Sequence, residues 1–209
     1  VRLVLASASP ARLATLRAAG VEPLVRVSGV DESTVPHADP TKLALALADL
    51  KAEAVLAALA SGSAEGVGED AFVLVGCDSV LELDGRAHGK PGTDDAVRAR
   101  WRALRGRSGR LVTGHHVAVV RGDAVAHRSR AASTTVHFAD VTDAEIEAYV
   151  ATGEPQHVAG AFTIDGYGAA FVSGVAGDHH NVVGISVPLL RVLLAELGVA
   201  WTDLWRAQR

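Results

Sequence analysis

Cysteine is almost missing from this 209-residue chain. Cys77 stands alone, which excludes an internal disulfide and any cysteine-rich zinc module. Methionine is absent, and lysine occurs only at Lys42, Lys51 and Lys90, although Lys plus Arg is 20. A lysine that persists in so arginine-rich a chain is a candidate for work that needs a compact point charge. A basic excess is also missing. Asp plus Glu is 24 and the net charge is -4, which argues against binding a nucleic-acid polymer through its phosphates. The longest apolar runs, such as Phe72–Val75 and Val117–Val120, fall far short of the roughly 20 residues that span a bilayer. Val1–Ser9 is too short for a secretory signal and leads straight into a capped helix. The expectation is a soluble, cytoplasmic protein with no membrane partner.

What is present is apolar residues at 49% and charged residues at 21%, a balance that supports a sizeable core and excludes a disordered chain. The length predicts a single domain over 1–209, as one body or as two lobes around a substrate cleft. Arg2–Ala6 reads as a strand. Ser9-Pro10 is a helix start, with Ser at the N-cap and Pro at the first helical position, and Gly20 is its stop. Leu24–Ser28 reads as a strand, and Asp39-Pro40 opens a helix to about Ala60. Ser61–Gly68 reads as a small flexible loop. Phe72–Cys77 is a buried strand ending at Asp78, and Asp84-Gly85 makes a hairpin. Thr93–Leu104 is a helix. Leu111–Arg121 and Ala124–Phe138 are strands joined at Gly122-Asp123. Thr142 with Glu145 is a capping-box pair opening a helix to Ala151. Glu154–Gly168 is irregular, Ala169–Val175 a strand, Gly177–Asn181 a polar loop and Ser186–Leu197 the closing helix. Alternating elements with a long antiparallel hairpin in the middle predict an α/β fold with a mixed twisted sheet, flanking helices and a central cleft.

The chemistry-bearing candidates each have a plain alternative. Ser7–Arg12 enters a helix N-terminus whose N–H groups, with Ser7, Ser9 and Arg12, suit a phosphate; an ordinary capped helix reads the same way. Asp78, at the end of a buried strand, suits a perturbed catalytic carboxylate or a turn. Lys90, held between Gly89 and Pro91, suits a phosphate oxygen or a solvated turn. Lys51 lies on the long helix near Asp49 and Glu53, and Glu32 in a loop; each alone reads as surface. His115-His116 and His179-His180 lack i, i+4 spacing, and no H-E-x-x-H occurs, so a zinc site is disfavoured; on a strand only one of His115 and His116 points inward. Cys77 reads as a small apolar filler. The G-x-G-x-x-G, Walker A and G-x-S-x-G patterns are absent.

Taken in order, the segments resemble the Maf family of nucleoside triphosphate pyrophosphatases, named for septum formation inhibition. Leu5-Ala6-Ser7-Ala8-Ser9-Pro10-Ala11-Arg12 is similar to its L-A-S-x-S-P-R-R opening, and Val30-Asp31-Glu32 to its acidic loop. Leu50-Lys51-Ala52, Gly76-Cys77-Asp78-Ser79-Val80, Gly89-Lys90-Pro91 and Val112-Thr113-Gly114 follow. Then come Glu145–Val150, Gly153-Glu154-Pro155, Ala159-Gly160-Ala161-Phe162 and Asn181-Val182-Val183-Gly184. The resemblance implies an ITPase-like fold, with Asp78 as proton acceptor and Ser7, Ser9, Arg12, Lys51, Lys90 and Thr113 at phosphate-contacting positions. It implies Glu32 and Asp78 as holders of a divalent cation, Mg2+ or Mn2+, a nucleoside triphosphate substrate, and a homodimer as in many members. It points to pyrimidine triphosphates (dTTP, UTP) or modified nucleotides, kept out of nucleic acids. A regulator of septation that binds without turnover, and a purine-directed 7-methyl-GTP hydrolase, are the alternatives. Three residues depart from the pattern: Ala11 for the first arginine, Val158 where many members carry Lys, and Asp165 where pyrimidine-preferring members carry Gln.

Overall fold

A computed structural model describes residues 1–35, 39–62 and 71–206. The strands are β1 (Arg2–Ala6), β2 (Leu24–Val25), β3 (Ala71–Leu83), β4 (Arg86–His88), β5 (Ser108–Arg121), β6 (Ala124–Phe138) and β7 (Val172–Ala176). The helices are α1 (Pro10–Ala18), α2 (Pro40–Ala60), α3 (Asp94–Leu104), α4 (Asp143–Ala151), α5 (His179–Val183), α6 (Val187–Glu196) and α7 (Trp201–Arg206). The seven strands form one mixed sheet in the order β2-β1-β3-β5-β6-β7, with β4 beside β3. β1 runs parallel to β2 and β3, and every other pairing is antiparallel. The mixed α/β expectation holds.

The helix starts follow from their caps. Ser9 accepts from the Arg12 N–H at 3.4 Å with Pro10 at the first helical position, and Asp39 does the same for Lys42 ahead of Pro40. Thr142 and Glu145 form the reciprocal capping box. Several boundaries differ from the sequence reading: β5 starts at Ser108 rather than Leu111, and α7 was not expected. β3 does not stop at Asp78 but runs on to Leu83, because β5 pairs with it along the whole length. β2 is only two residues long. β7 starts at Val172, since a 3-10 turn occupies Tyr167–Phe171. Residues 179–183 are helical rather than loop: Asp178 caps them, and five residues are too few to show a period. The loop predicted at Ser61–Gly68 lies, from residue 63 on, outside the described residues.

Over β1, β3 and β5 both faces of the sheet are covered, while Ala124–Arg130 of β6 is exposed, and each covered face has two apolar clusters. On one face Leu3, Leu5, Val73, Val75, Cys77, Val117 and Val119 pack under α1, α6 and α7. Further along that face, Leu81, Leu83, Leu111, Val136 and Phe138 pack with α3 and α4 around Trp101, whose indole N–H donates to the Ala161 carbonyl at 2.8 Å. On the opposite face α2 covers Val4, Ala6, Leu74 and Ala118, and its first half meets Val80 and Val112. Polar side chains occupy the belt between the clusters on both faces, around Asp78 and Ser79.

Candidate active site

The belt coincides with a gap in the sheet. β1 pairs with β3 only as far as Ala6 opposite Gly76, and β4 takes up that edge at Leu81 opposite His88. Cys77–Val80 therefore have a neighbour on the β5 side alone. The chain leaves β1 at the gap through Ser7–Ser9 and turns into α1, which brings Arg12 back to it. The buried Arg12 guanidinium donates from Nε to the Gly184 carbonyl at 2.7 Å, from Nη1 to Ser7 Oγ at 3.1 Å and from Nη2 to Ser79 Oγ at 3.1 Å. Thr113 lies opposite Ser79 in the β5 register, and its hydroxyl donates to the Asn181 carbonyl at 3.2 Å. That uses the single Thr113 proton, so the 2.8 Å Ser79–Thr113 contact has Ser79 as donor. Ser7 Oγ also accepts from the Ser9 N–H at 3.2 Å. One run of hydrogen bonds thus links α1, β3, β5 and α5.

Side chains alternate along a strand, so Asp78 points to the other face, toward α2. That helix lies very close to the sheet because its contact residues are small. A Cβ at Gly76 would meet the Ala48 carbonyl at 2.6 Å, and one at Gly114 would collide with the Ala44 carbonyl. Gly114 is the register partner of Asp78. The close approach lets Lys51 bring Nζ to 2.5 Å from Asp78 Oδ1 and 2.8 Å from Glu32 Oε1. Across the same helix Asp49 Oδ1 accepts from His116 Nδ1 at 2.8 Å and from Ser129 Oγ at 2.6 Å, which fixes α2 against β5 and β6. Burial pushes the Asp78 carboxyl above the usual carboxylate range, and the Lys51 and Arg12 charges oppose that shift only in part. The result is a buried carboxyl of raised pKa beside two cationic side chains.

The family model for Maf-like proteins matches residues 2–197. Three curated bacterial proteins, each named nucleoside triphosphate pyrophosphatase, align along nearly their whole lengths. The Saccharopolyspora erythraea protein is 54% identical, with 98% of this chain and 97% of its own covered. The Cutibacterium acnes protein is 52% identical, at 99% and 95%. The Streptomyces coelicolor protein is 54% identical, at 98% and 94%. The chain belongs to the Maf family. Among solved structures, the Staphylococcus aureus Ham1 protein covers 67% of this chain and 73% of its own at 17% identity and a TM-score of 0.36, a likeness too distant to carry weight.

The Maf motifs fall unevenly on this geometry. Ser7, Arg12, Thr113, Lys51, Glu32 and Asp78 converge on the gap from five separate segments. Ser9 serves as helix cap and braces Ser7. Lys90 is exposed, two residues past the end of β4, and joins no ion pair with the described residues. Lys51 is not a surface residue; its side chain is 12% exposed. Sequence reasoning gave no role to Ser79, Asn181 or Gly184, although all three lie in quoted motifs. Strand alternation from Asp78 and register with Thr113 would have found Ser79, but two of the three contacts use backbone carbonyls, which carry no side-chain signature.

The histidine pairs need a correction. Both His115 and His116 are buried, because helices cover both faces of the sheet. His115 donates from Nδ1 to the Thr113 carbonyl at 3.0 Å and accepts at Nε2 from the Ser186 N–H at 2.8 Å. Burial drives its pKa down to about 4, so it is neutral at pH 7 and braces Thr113. Cys77 is an apolar filler as expected, its thiol pushed up to about 12 by burial.

The divalent cation implied by the family fits the donor set. Glu32 and Asp78 direct one carboxylate oxygen each at a single point, now taken by the Lys51 ammonium, and oxygen-only donors suit Mg2+ or Mn2+. No described helix is long and apolar enough to cross a membrane.

Proposed function

We propose that this chain hydrolyses a nucleoside triphosphate to the monophosphate and pyrophosphate, as a cytoplasmic hydrolase of acid anhydrides. The observation that carries the reading is Asp78, buried beside Lys51 at the gap between β1 and β4 on the flank of β3, with Arg12 across the strand. Full-length likeness to relatives named for this activity supports it. Arg12 has N–H donors left after its three internal bonds, and these, with the first turn of α1 and the Ser7 hydroxyl, receive the polyphosphate. Lys51 and the exposed Lys90 add positive charge where negative charge builds up in the transition state. Asp78 orients a water at the α-phosphorus and takes its proton. The water oxygen bonds to phosphorus, the bond from α-phosphorus to the bridging oxygen breaks, and pyrophosphate leaves with the electron pair. Glu32 and Asp78 would hold a divalent cation, which would supply neutralisation of phosphate charge.

The base is read elsewhere, in the segment that Glu154 folds. Its carboxylate accepts from Tyr149 Oη at 2.7 Å, Thr163 Oγ1 at 2.6 Å and the Tyr167 and Gly168 N–H groups at 2.9 and 3.1 Å. The exposed Asp165 lies within that loop. Pyrimidine triphosphates are the first candidates. An aspartate in place of glutamine accepts but cannot donate, and its charge suits a cationic base, which favours a 7-methylguanine nucleotide as the second reading.

Pure protein with Mg2+ and a panel of dTTP, UTP, GTP and 7-methyl-GTP tests this. Monophosphate and pyrophosphate are the expected products. Asp78→Asn should lower kcat by on the order of a hundredfold or more with substrate binding kept. Undiminished turnover in that variant refutes the role of Asp78, and tight binding without turnover by the wild type favours a regulator.

A further inference from the structure

The cap of α5 gathers three metal-binding side chains that the reaction does not use. One ligand atom each from Asp178, His179 and His180 lies within 4.8 Å of the others. Residues i and i+1 on a helix do not normally face each other, yet here the two rings pack on one another, 3.8 Å apart between centroids and tilted by 36°. His180 Nδ1 is 3.5 Å from Asp178 Oδ1. The carboxylate is held by one hydrogen bond and the backbone of the same residue by another. Oδ1 accepts from the His180 N–H at 3.0 Å, and the Asp178 backbone carbonyl accepts from Thr134 Oγ1 at 2.8 Å. Its second oxygen, Oδ2, is buried without a hydrogen-bond partner among the described residues, so the group has unused acceptor capacity. His179 is exposed and His180 half-buried, which leaves a route for an ion to enter.

We propose that Asp178, His179 and His180 form a transition-metal site of the zinc class, separate from the carboxylates at the gap. Two imidazoles and one carboxylate suit Zn2+, Co2+ or Ni2+ and are a poor set for Mg2+, which takes oxygen ligands. The donors are side chains, so the dipole of this five-residue helix plays no part. Metal–nitrogen bonds of about 2.1 Å need donors slightly closer than they now are, a shift that rotation of the exposed His179 ring supplies. The site is tied to the phosphate end of the gap. Asn181 and Gly184, on and just after α5, offer the carbonyls that hold Thr113 and Arg12. An ion at the start of α5 therefore stiffens the support beneath both residues.

Co2+ titration of the full chain, followed by visible d–d absorption with Mg2+ in excess, tests the proposal. One Co2+ per chain is expected, displaced by Zn2+. His179→Gln and His180→Gln should each weaken binding at least about tenfold. Asp178→Asn keeps a capping oxygen and so the helix, and should weaken binding as well. Glu32→Gln should leave it unchanged. Zn2+ should raise the Tm of the wild type and not of His179→Gln. The proposal is overturned by absence of Co2+ uptake, or by uptake that survives all three substitutions at the α5 cap, or by uptake lost with Glu32→Gln.

Discussion

Residues 71–76 and 77–80 belong to one continuous strand, yet their neighbours differ. The first stretch has β1 on one side and β5 on the other, and its side chains are buried in apolar clusters on both faces. The second has β5 alone, and it carries Asp78 and Ser79 into contact with Lys51 and Arg12. The difference is one of edge rather than composition. Once β1 turns away into α1, a strand flank that would otherwise be paired becomes a place where a helix terminus, a lysine and a guanidinium can meet. The apolar stretch holds the helix that delivers Lys51, and the polar stretch uses it.

Breaking the first stretch should cost most. Gly76→Val forces branched carbons into the Ala48 carbonyl and should destabilise the fold by about 3 kcal/mol or more, read from a urea midpoint. Gly174→Val on β7 is the control: the nearest atom to its new Cβ is His137 Cδ2 at 3.8 Å, and the cost should stay under about 1 kcal/mol. If the two behave alike, close packing of α2 is not what positions Lys51.

Acid should loosen the belt next. His115 falls from an ordinary value near 6.5 to about 4 on folding, so between those pH values the unfolded chain binds more protons. Stability is therefore whole above about pH 6.5, declines as pH falls toward 4, and loses roughly 3 kcal/mol across the window. A urea midpoint followed against pH should show this slope, flattened in His115→Gln. The smallest change sharpens the comparison. Ser79→Ala removes the acceptor of one buried Arg12 N–H, should cost about 1–2 kcal/mol of stability, and should raise KM for the triphosphate several-fold while kcat holds. An unchanged KM would detach Ser79 from the substrate end of the gap.

Much of this was legible in the residues. Ser9-Pro10 and Asp39-Pro40 announce their helices through chemistry confined to a few neighbouring positions, and α1 and α2 begin where those pairs predict. Asp78 and Lys51 were visible as types in a motif order. Their 2.5 Å contact was not, because it depends on how near α2 comes to the sheet, and that is set by Gly76 and Gly114 against Ala44, Ala48 and Ala52. The burial of both His115 and His116 was illegible for a similar reason: one strand reports alternation, while cover on both faces is a property of distant helices. The extension of β3 past Asp78 was hidden because its pairing partner on β5 lies about thirty residues away in the chain.

Arg12 is immobilised in the protein as it stands. Three of its donors are engaged by Gly184, Ser7 and Ser79, from three separate parts of the chain. A free arginine gives up about 2 kcal/mol of rotamer freedom when it is pinned, and here that loss falls on folding, so that under the proposed function capture of the nucleotide does not bear it. An incoming anion therefore meets a guanidinium already aimed, and sequences that loosen any of its three anchors should trade tighter folding requirements for slower, weaker grip.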